Sequence, residues 1–175
     1  MTERIFTIGH STRDLADFIA LLRENGVQRL ADIRRYPGSR RYPHFSRDAL
    51  RLSLPAEGIE YIHMPELGGR RKPLPDSRNT AWRNEQFRAY ADYMASDEFA
   101  VGVNDLSVLA EARPAAIMCA ESVWWRCHRR LLADHLVLVS KVHVEHLFHD
   151  GRLVEHTPTA EARRIDDHVV YDLIR

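Results

Sequence analysis

Only two cysteines, Cys119 and Cys127, occur in the 175 residues. That is too few for the disulfide framework of a small secreted domain. No apolar run approaches the roughly 20 residues needed to cross a bilayer, so no membrane span is expected. The opening MTERIFTIGH lacks a basic segment followed by a long apolar run. No signal peptide is expected there, and the chain reads as a cytoplasmic protein of a reducing compartment. Neither sign of charge is in excess: Lys plus Arg total 25, Asp plus Glu total 25, and the formal net charge is zero. A protein that coats polyanions over its whole surface is disfavoured, whereas a local basic cleft is not. Internal repeats and low-complexity tracts are also missing.

What is present is enough apolar material for a core. Hydrophobic residues make up 45% of the chain, which excludes general disorder and fits a single domain over residues 1–175. Arg4 to His10 reads as a buried strand. A helix follows over roughly Asp14 to Glu24, with Leu15, Phe18, Ile19 and Leu22 on one face and Gly26 just beyond its end. Val27 to Ile33 and Ile59 to His63 read as further strands, with a short helix between them capped by Ser46. Two helices are expected over Asn84–Met94 and Glu98–Ala112, then a strand over Ala115–Cys119. The next helix is expected over Trp124–Leu138. Val142–Phe148 and Leu153–His156 form a predicted hairpin around Asp150-Gly151. Strands alternating with helices define an α/β fold of three layers, a mostly parallel sheet with flanking helices and a small C-terminal β-hairpin.

The unusual residues all follow strands. Gly9-His10-Ser11 ends the first, Asp32-Ile33-Arg34-Arg35 the second, and Gly68-Gly69 lies beyond the third. Cys119-Ala120-Glu121 ends the fourth and leads into Trp124, Trp125, Cys127, His128 and Arg129. In an open parallel sheet these ends share one rim, where ligands bind. Arg34, Arg35, Arg40 and Arg41, interleaved with Tyr36, Tyr42 and His44, supply guanidinium forks for phosphate and rings for stacked bases. Salt bridges that pin the loop are the alternative reading of the same arginines. His10, Asp32, Cys119, Glu121 and His128 are the candidates for acid, base or nucleophile. Ser11, Arg34, Arg35, Ser39, Arg40, Gly68, Gly69, Trp124 and Arg129 are the candidates for holding a substrate.

The stretch MCAESVWWRCHRR admits several chemistries. Cys119 stands where a strand runs toward a helix start, the usual setting for a reactive thiol. The thiol loops of rhodaneses and cysteine phosphatases place an arginine after five intervening residues. Here Trp125 holds that place and Arg126 follows, and the bulky residues between suit an anion cradle poorly. A metal would need Cys119, Cys127, His128 and His10. Cys127 and His128, adjacent on the expected helix, diverge by about 100°, so no metal and no cofactor is expected.

Taken in order, Thr7-Ile8-Gly9-His10-Ser11, Asp32-Ile33-Arg34 with Pro37 and Ser39, Leu67-Gly68-Gly69, and Met118-Cys119-Ala120-Glu121 followed by Cys127-His128-Arg129 give a specific pattern. On these residues the chain resembles the bacterial and archaeal family called domain of unknown function 488. The resemblance spans most of the chain. It implies an α/β fold and a site at the motif positions, and no particular reaction. One departure stands out: Ser122-Val123-Trp124-Trp125 replaces the Asp-Pro-type turn common before Cys-His-Arg.

Three functions remain open at this point. In the first, the rim binds or processes a nucleotide, or a single-stranded or flipped-base nucleic acid. In the second, the protein is a thiol-dependent enzyme with Cys119 as nucleophile. In the third, it is a non-catalytic interaction module whose rim is filled by its own side chains. Oligomeric state is not legible in the sequence.

Overall fold

A computed structural model describes residues 3–38 and 40–173. The chain runs β1 (Arg4–Gly9), α1 (Leu15–Glu24), β2 (Arg29–Asp32), α2 (Arg47–Ala56), β3 (Glu60–His63), α3 (Glu85–Tyr93), α4 (Asp97–Ala112), β4 (Ala115–Cys119), α5 (Arg129–Leu138), β5 (His143–Leu147), β6 (Leu153–Glu155), β7 (Ala162–Ile165) and β8 (His168–Tyr171). Six strands make one sheet in the order β3-β2-β4-β1-β5-β6, and β7 pairs with β8 separately. β1 to β5 are mutually parallel where they pair, and β6 returns antiparallel to β5. This is the expected three-layer α/β architecture. The turn at Asp150-Gly151 is present, with Gly151 at φ 87°, and it makes β5–β6 an edge extension of the main sheet. The separate β7–β8 hairpin lies in the tail, beyond any expected element.

Alternation along the strands builds the two faces. Ile5, Ala31, Ala115, Ile117 and Cys119 pack with Tyr90, Phe99, Leu106, Leu131 and Leu132 of α3, α4 and α5. Phe6, Ile8, Leu30, Ala116 and Met118 pack with Phe18, Leu22, Leu50 and Leu54 of α1 and α2. Side-chain caps start three of the helices: Ser46, Asn84 and Ser96 accept amide hydrogens at the first turns of α2, α3 and α4, each worth about 1 kcal/mol.

The order of the strands positions the site. After β1 and β2 the chain passes to the α1/α2 face, whereas after β4, inserted between them, it passes to the α5 face. A crevice opens at the carboxyl ends where neighbouring connections part in this way. Main-chain pairing continues beyond the strand ends and holds the rim together: His10 N–H donates to the Cys119 carbonyl and Ser11 N–H to that of Ala120, both at 3.0 Å.

One expected element is different. Trp124 to Leu138 is not a single helix. Trp124–Arg126 is a 3-10 turn, Cys127 is extended (φ −139°, ψ 160°), and α5 begins at Arg129. The break comes from tertiary contact. The Cys127 side chain turns back to Cys119 and accepts the Arg129 N–H at 3.3 Å.

Candidate functional site at the carboxyl rim of the sheet

Two polar clusters occupy the rim, one on each face of the sheet. On the α1/α2 side Asp32 is fully buried. Its carboxylate accepts Arg34 Nε–H at 2.9 Å, Arg34 Nη2–H at 2.7 Å and the Arg34 amide at 3.1 Å. The Tyr61 hydroxyl also donates to it. Burial and this neighbouring carboxylate both push the Tyr61 hydroxyl upward, so it stays protonated. Arg34 reaches further, to the Phe45 carbonyl at 2.7 Å and to His10 Nε2 at 3.3 Å. Because the guanidinium can only donate, Nε2 of His10 is the acceptor, and Nδ1–H donates to the Ser11 carbonyl at 2.9 Å. The ring is therefore neutral, stacked on Phe45 at 4.5 Å. Desolvation, with the Arg34 charge acting in the same direction, lowers it to about 4. His10 and Asp32 are thus engaged with Arg34 and clamp the loop that follows β2.

On the α5 side stand Cys119, Cys127, His128 and Arg129. The two sulfurs are 2.8 Å apart and the cysteines are free. Burial and the neighbouring sulfur push the Cys119 thiol well up. Burial also opposes ionisation of Cys127, but the hydrogen bond shared with Cys119 and the charge and amide of Arg129 outweigh it, and the thiol is lowered. His128 donates Nε2–H to the Ile33 carbonyl at 3.0 Å and turns Nδ1 toward Cys127, 3.6 Å from its sulfur. Desolvation keeps this ring neutral as well. Arg129, 1% exposed, donates to Thr7 Oγ1 at 3.2 Å and to the Glu121 and Ser122 carbonyls at 2.7 and 3.4 Å. Among the described residues it forms no ion pair with a carboxylate, and its Nε–H is buried without an acceptor.

Arg129 instead reaches a carboxylate through a chain of side chains. Thr7 Oγ1 meets His146 Nδ1 at 2.6 Å, His146 Nε2 meets His156 Nδ1 at 2.8 Å, and His156 Nε2 meets Asp134 Oδ1 at 2.7 Å. Arg129 can only donate and ionised Asp134 can only accept, so every hydrogen in between points toward Asp134. Asp134 also accepts the Thr159 amide at 2.9 Å and the Tyr171 hydroxyl at 2.8 Å. Trp124, expected to stack on a ligand, lies flat on His146 at 4.3 Å and shields this chain.

Between the clusters a cleft of about 400 Å³ opens. Cys127, His128 and Tyr90 line its floor, and Arg34, Arg35, Tyr36, Gly69, Arg70, Glu121 and Arg126 its walls. A second hollow beside it brings in His10, Ser11, Arg41 and Tyr42. Tyr36, 63% exposed, is the ridge that both hollows share, with the Arg35 and Arg70 guanidinium groups 5.4 and 5.8 Å from its ring centre. Arg35 also ties the Gly-Gly loop by donating to the Arg70 carbonyl at 2.8 Å.

The motif glycines permit close approach. A Cβ on Gly9 would lie 1.7 Å from the Glu121 carbonyl oxygen, and one on Gly68 would lie 2.7 Å from the Arg35 amide. On Gly69 it would press the His128 ring at 3.1 Å. Gly9 thereby lets the chain after β4 cross β1 and present the Glu121 carbonyl to Arg129.

Most sequence-expected site residues therefore meet at this rim. Arg40 is exposed and outside the cleft, and Ser39 lies outside the described residues. Sequence reasoning missed Arg70 and Arg126, the pairing of Cys127 with Cys119, and the chain Thr7–His146–His156–Asp134. His146 and His156 follow no local motif; only the pairing of β5 with β1 and β6 brings them to Thr7. The supposed divergence of Cys127 and His128 on a helix does not apply, because Cys127 is extended. Among the described residues no group of three or more His, Cys, Asp or Glu is placed to hold a metal. No helix there is long and apolar enough to cross a membrane.

Fold and rim together define a three-layer α/β protein with a basic, thiol-floored cleft at the carboxyl edge of a parallel sheet. The chain belongs to the family described as Domain of unknown function DUF488, whose model matches residues 14–136. Comparison with curated proteins gave no match, and neither did comparison with solved structures.

Proposed function

We propose that the rim cleft binds a ligand of the nucleotide class, with phosphate held by Arg35, Arg70 and Arg126 and a base laid on Tyr36. One observation carries this reading. Of the four arginines that line the cleft, Arg34 is paired with Asp32, whereas among the described residues Arg35, Arg70 and Arg126 are in no ion pair with a carboxylate. Arginines that served only to pin the loop would be neutralised by acids, whereas the one carboxylate lining this cleft belongs to Glu121. Charge gathered here on a chain of zero formal net charge favours an anion. An exposed ring flanked by guanidinium groups offers the stacking platform used for unpaired bases. Asp32, His10 and Arg34 then serve to hold the loop rather than to transfer protons.

Fluorescence anisotropy with a labelled single-stranded oligonucleotide, and competition by a mononucleotide, tests this. Contact with about three phosphates gives a slope near −2 of log affinity against log salt. Tyr36→Ala should cost about 1–3 kcal/mol of binding, and Arg70→Ala should flatten the slope. Binding of a mononucleotide without the oligonucleotide restricts the ligand to the smaller class. Failure of both at low salt removes the reading.

The filled rim expected of a non-catalytic module is not favoured by an open cleft. The thiol reading finds support at its floor, where Cys127, lowered beside Arg129, suits the nucleophile better than Cys119, which burial raises.

A further inference from the structure

Cys119 and Cys127 are the only sulfhydryls in the chain, and the fold sets them side by side. Packing does not require this. A buried free cysteine behaves as a small hydrophobe and is inert in apolar surroundings. These two are not in such surroundings. The Cys127 sulfur accepts the Arg129 amide, faces Nδ1 of His128, and lies beside a buried guanidinium that lacks a carboxylate partner among the described residues. Both cysteines also line the open cleft. The sulfurs, 2.8 Å apart, need to close by only about 0.8 Å to reach disulfide bonding distance. The segment between them is a loop and a 3-10 turn rather than a rigid helix.

We infer that Cys119 and Cys127 form a reversible two-electron redox couple, in which Cys127 attacks a hydroperoxide and Cys119 resolves the product as an intramolecular disulfide. In the first step the Cys127 thiolate bonds to the terminal peroxide oxygen and the O–O bond breaks. The leaving alkoxide or hydroxide takes a proton from solvent, and sulfur becomes the sulfenic acid. In the second step Cys119 sulfur bonds to Cys127 sulfur, the S–OH bond breaks, and the hydroxyl leaves as water with the Cys119 proton. Two thiols are oxidised and one peroxide is reduced to an alcohol or water. A dithiol reductant returns the pair by exchange. The charge and amide of Arg129 favour ionisation of the Cys127 sulfur. The inference does not rest on nucleotide binding, because no step uses a ligand in the arginine walls.

Intact-mass spectrometry of the reduced, folded protein treated with equimolar hydrogen peroxide tests it. The wild type should lose two hydrogens in mass, and both thiols should resist alkylation after denaturation until a dithiol is added. In Cys119→Ser the reaction should stop at a sulfenic acid that dimedone traps. Cys127→Ser should react about tenfold more slowly or worse. Should either variant fail to fold, the wild-type mass alone decides. Two thiols that remain free, oxidation to sulfinic acid without a disulfide, or a disulfide only between molecules would each overturn the couple. Loss of nucleotide binding would not affect this readout, and a failed oxidation would leave the anisotropy result untouched.

Discussion

Substituting Asn for Asp32 keeps the size of the side chain and removes its charge. Arg34 would then be a buried cation facing only the Phe45 carbonyl and His10. Breaking a buried pair from one side costs about 3–5 kcal/mol, and denaturant unfolding of Asp32→Asn should show a loss of that size. Tyr61→Phe removes one donor from a carboxylate that keeps its Arg34 bonds, so about 1 kcal/mol is expected there. Equal losses for the two variants would mean that the ion pair does not organise the loop. Residue types at the rim were legible before the fold was known: His10, Asp32, Arg34, Cys119, His128 and Arg129 all stand there. Their roles were not. Asp32 and His10 suited acid–base work by type, and only the structure shows both bonded to Arg34. The pairing of the two thiols also needed three dimensions, since only the fold brings the Cys127 sulfur to Cys119 and to the Arg129 amide.

At the scale of elements, each strand of the parallel sheet was readable from its apolar run, and the helices flanking it from their periodicity and caps. One misreading and one element left unread have clear causes. Trp-Trp-Arg-Cys-His-Arg contains no glycine or proline, so nothing local announced the break that the Cys127–Cys119 contact imposes. The β7–β8 hairpin pairs a largely polar strand, Ala162–Ile165, with a short apolar one, His168–Tyr171, and it turns at Asp166, with φ 53°, instead of at the Asn-Gly or Asp-Gly that marks a tight turn. What holds it is long-range. The Tyr171 hydroxyl donates to Asp134, Asn79 accepts the Tyr171 amide at 3.0 Å, and Trp82 packs against the Tyr171 ring at 5.3 Å. Tyr171→Phe leaves the ring contacts intact and takes one donor from buried Asp134, so a loss of about 1–3 kcal/mol is expected. Amide exchange should accelerate first in the hairpin if β8 is fastened mainly through this bond. Uniform acceleration across the sheet would show instead that the hairpin unfolds only with the whole.

For the molecule as a whole, buried neutral histidines set the response to acid. His10 and His135 are lowered to about 4 and His146 to about 2, each chiefly by desolvation. In the unfolded chain all three take up protons near pH 6.5. Above that pH neither state is charged at these sites, and their contribution does not vary. As pH falls below 6.5 the unfolded state binds protons that the folded state refuses, and stability declines until the folded rings titrate. Each such ring contributes up to about 1.4 kcal/mol per pH unit in that window. Thermal unfolding should give a Tm that is flat from pH 8 to 7 and falls steadily from 6.5 to 4.5. A Tm constant down to pH 5 would contradict the burial of these rings in neutral form.

The chain from Arg129 to Asp134 looks like a wire for protons, yet its orientation forbids that use. Every hydrogen already points toward Asp134, so one coordinated hop would deliver a proton to the carboxylate only by stripping one from a guanidinium, a group that only donates hydrogen bonds and keeps its protons in proteins. The reverse hop has no hydrogen to start from. What the chain passes is polarisation: a field change at Asp134 shifts electron density along aligned bonds and is felt at the guanidinium beside Cys127. One unbroken run of bonds thus ties the tail hairpin, through Tyr171 and Asp134, to the guanidinium whose own amide meets the Cys127 sulfur.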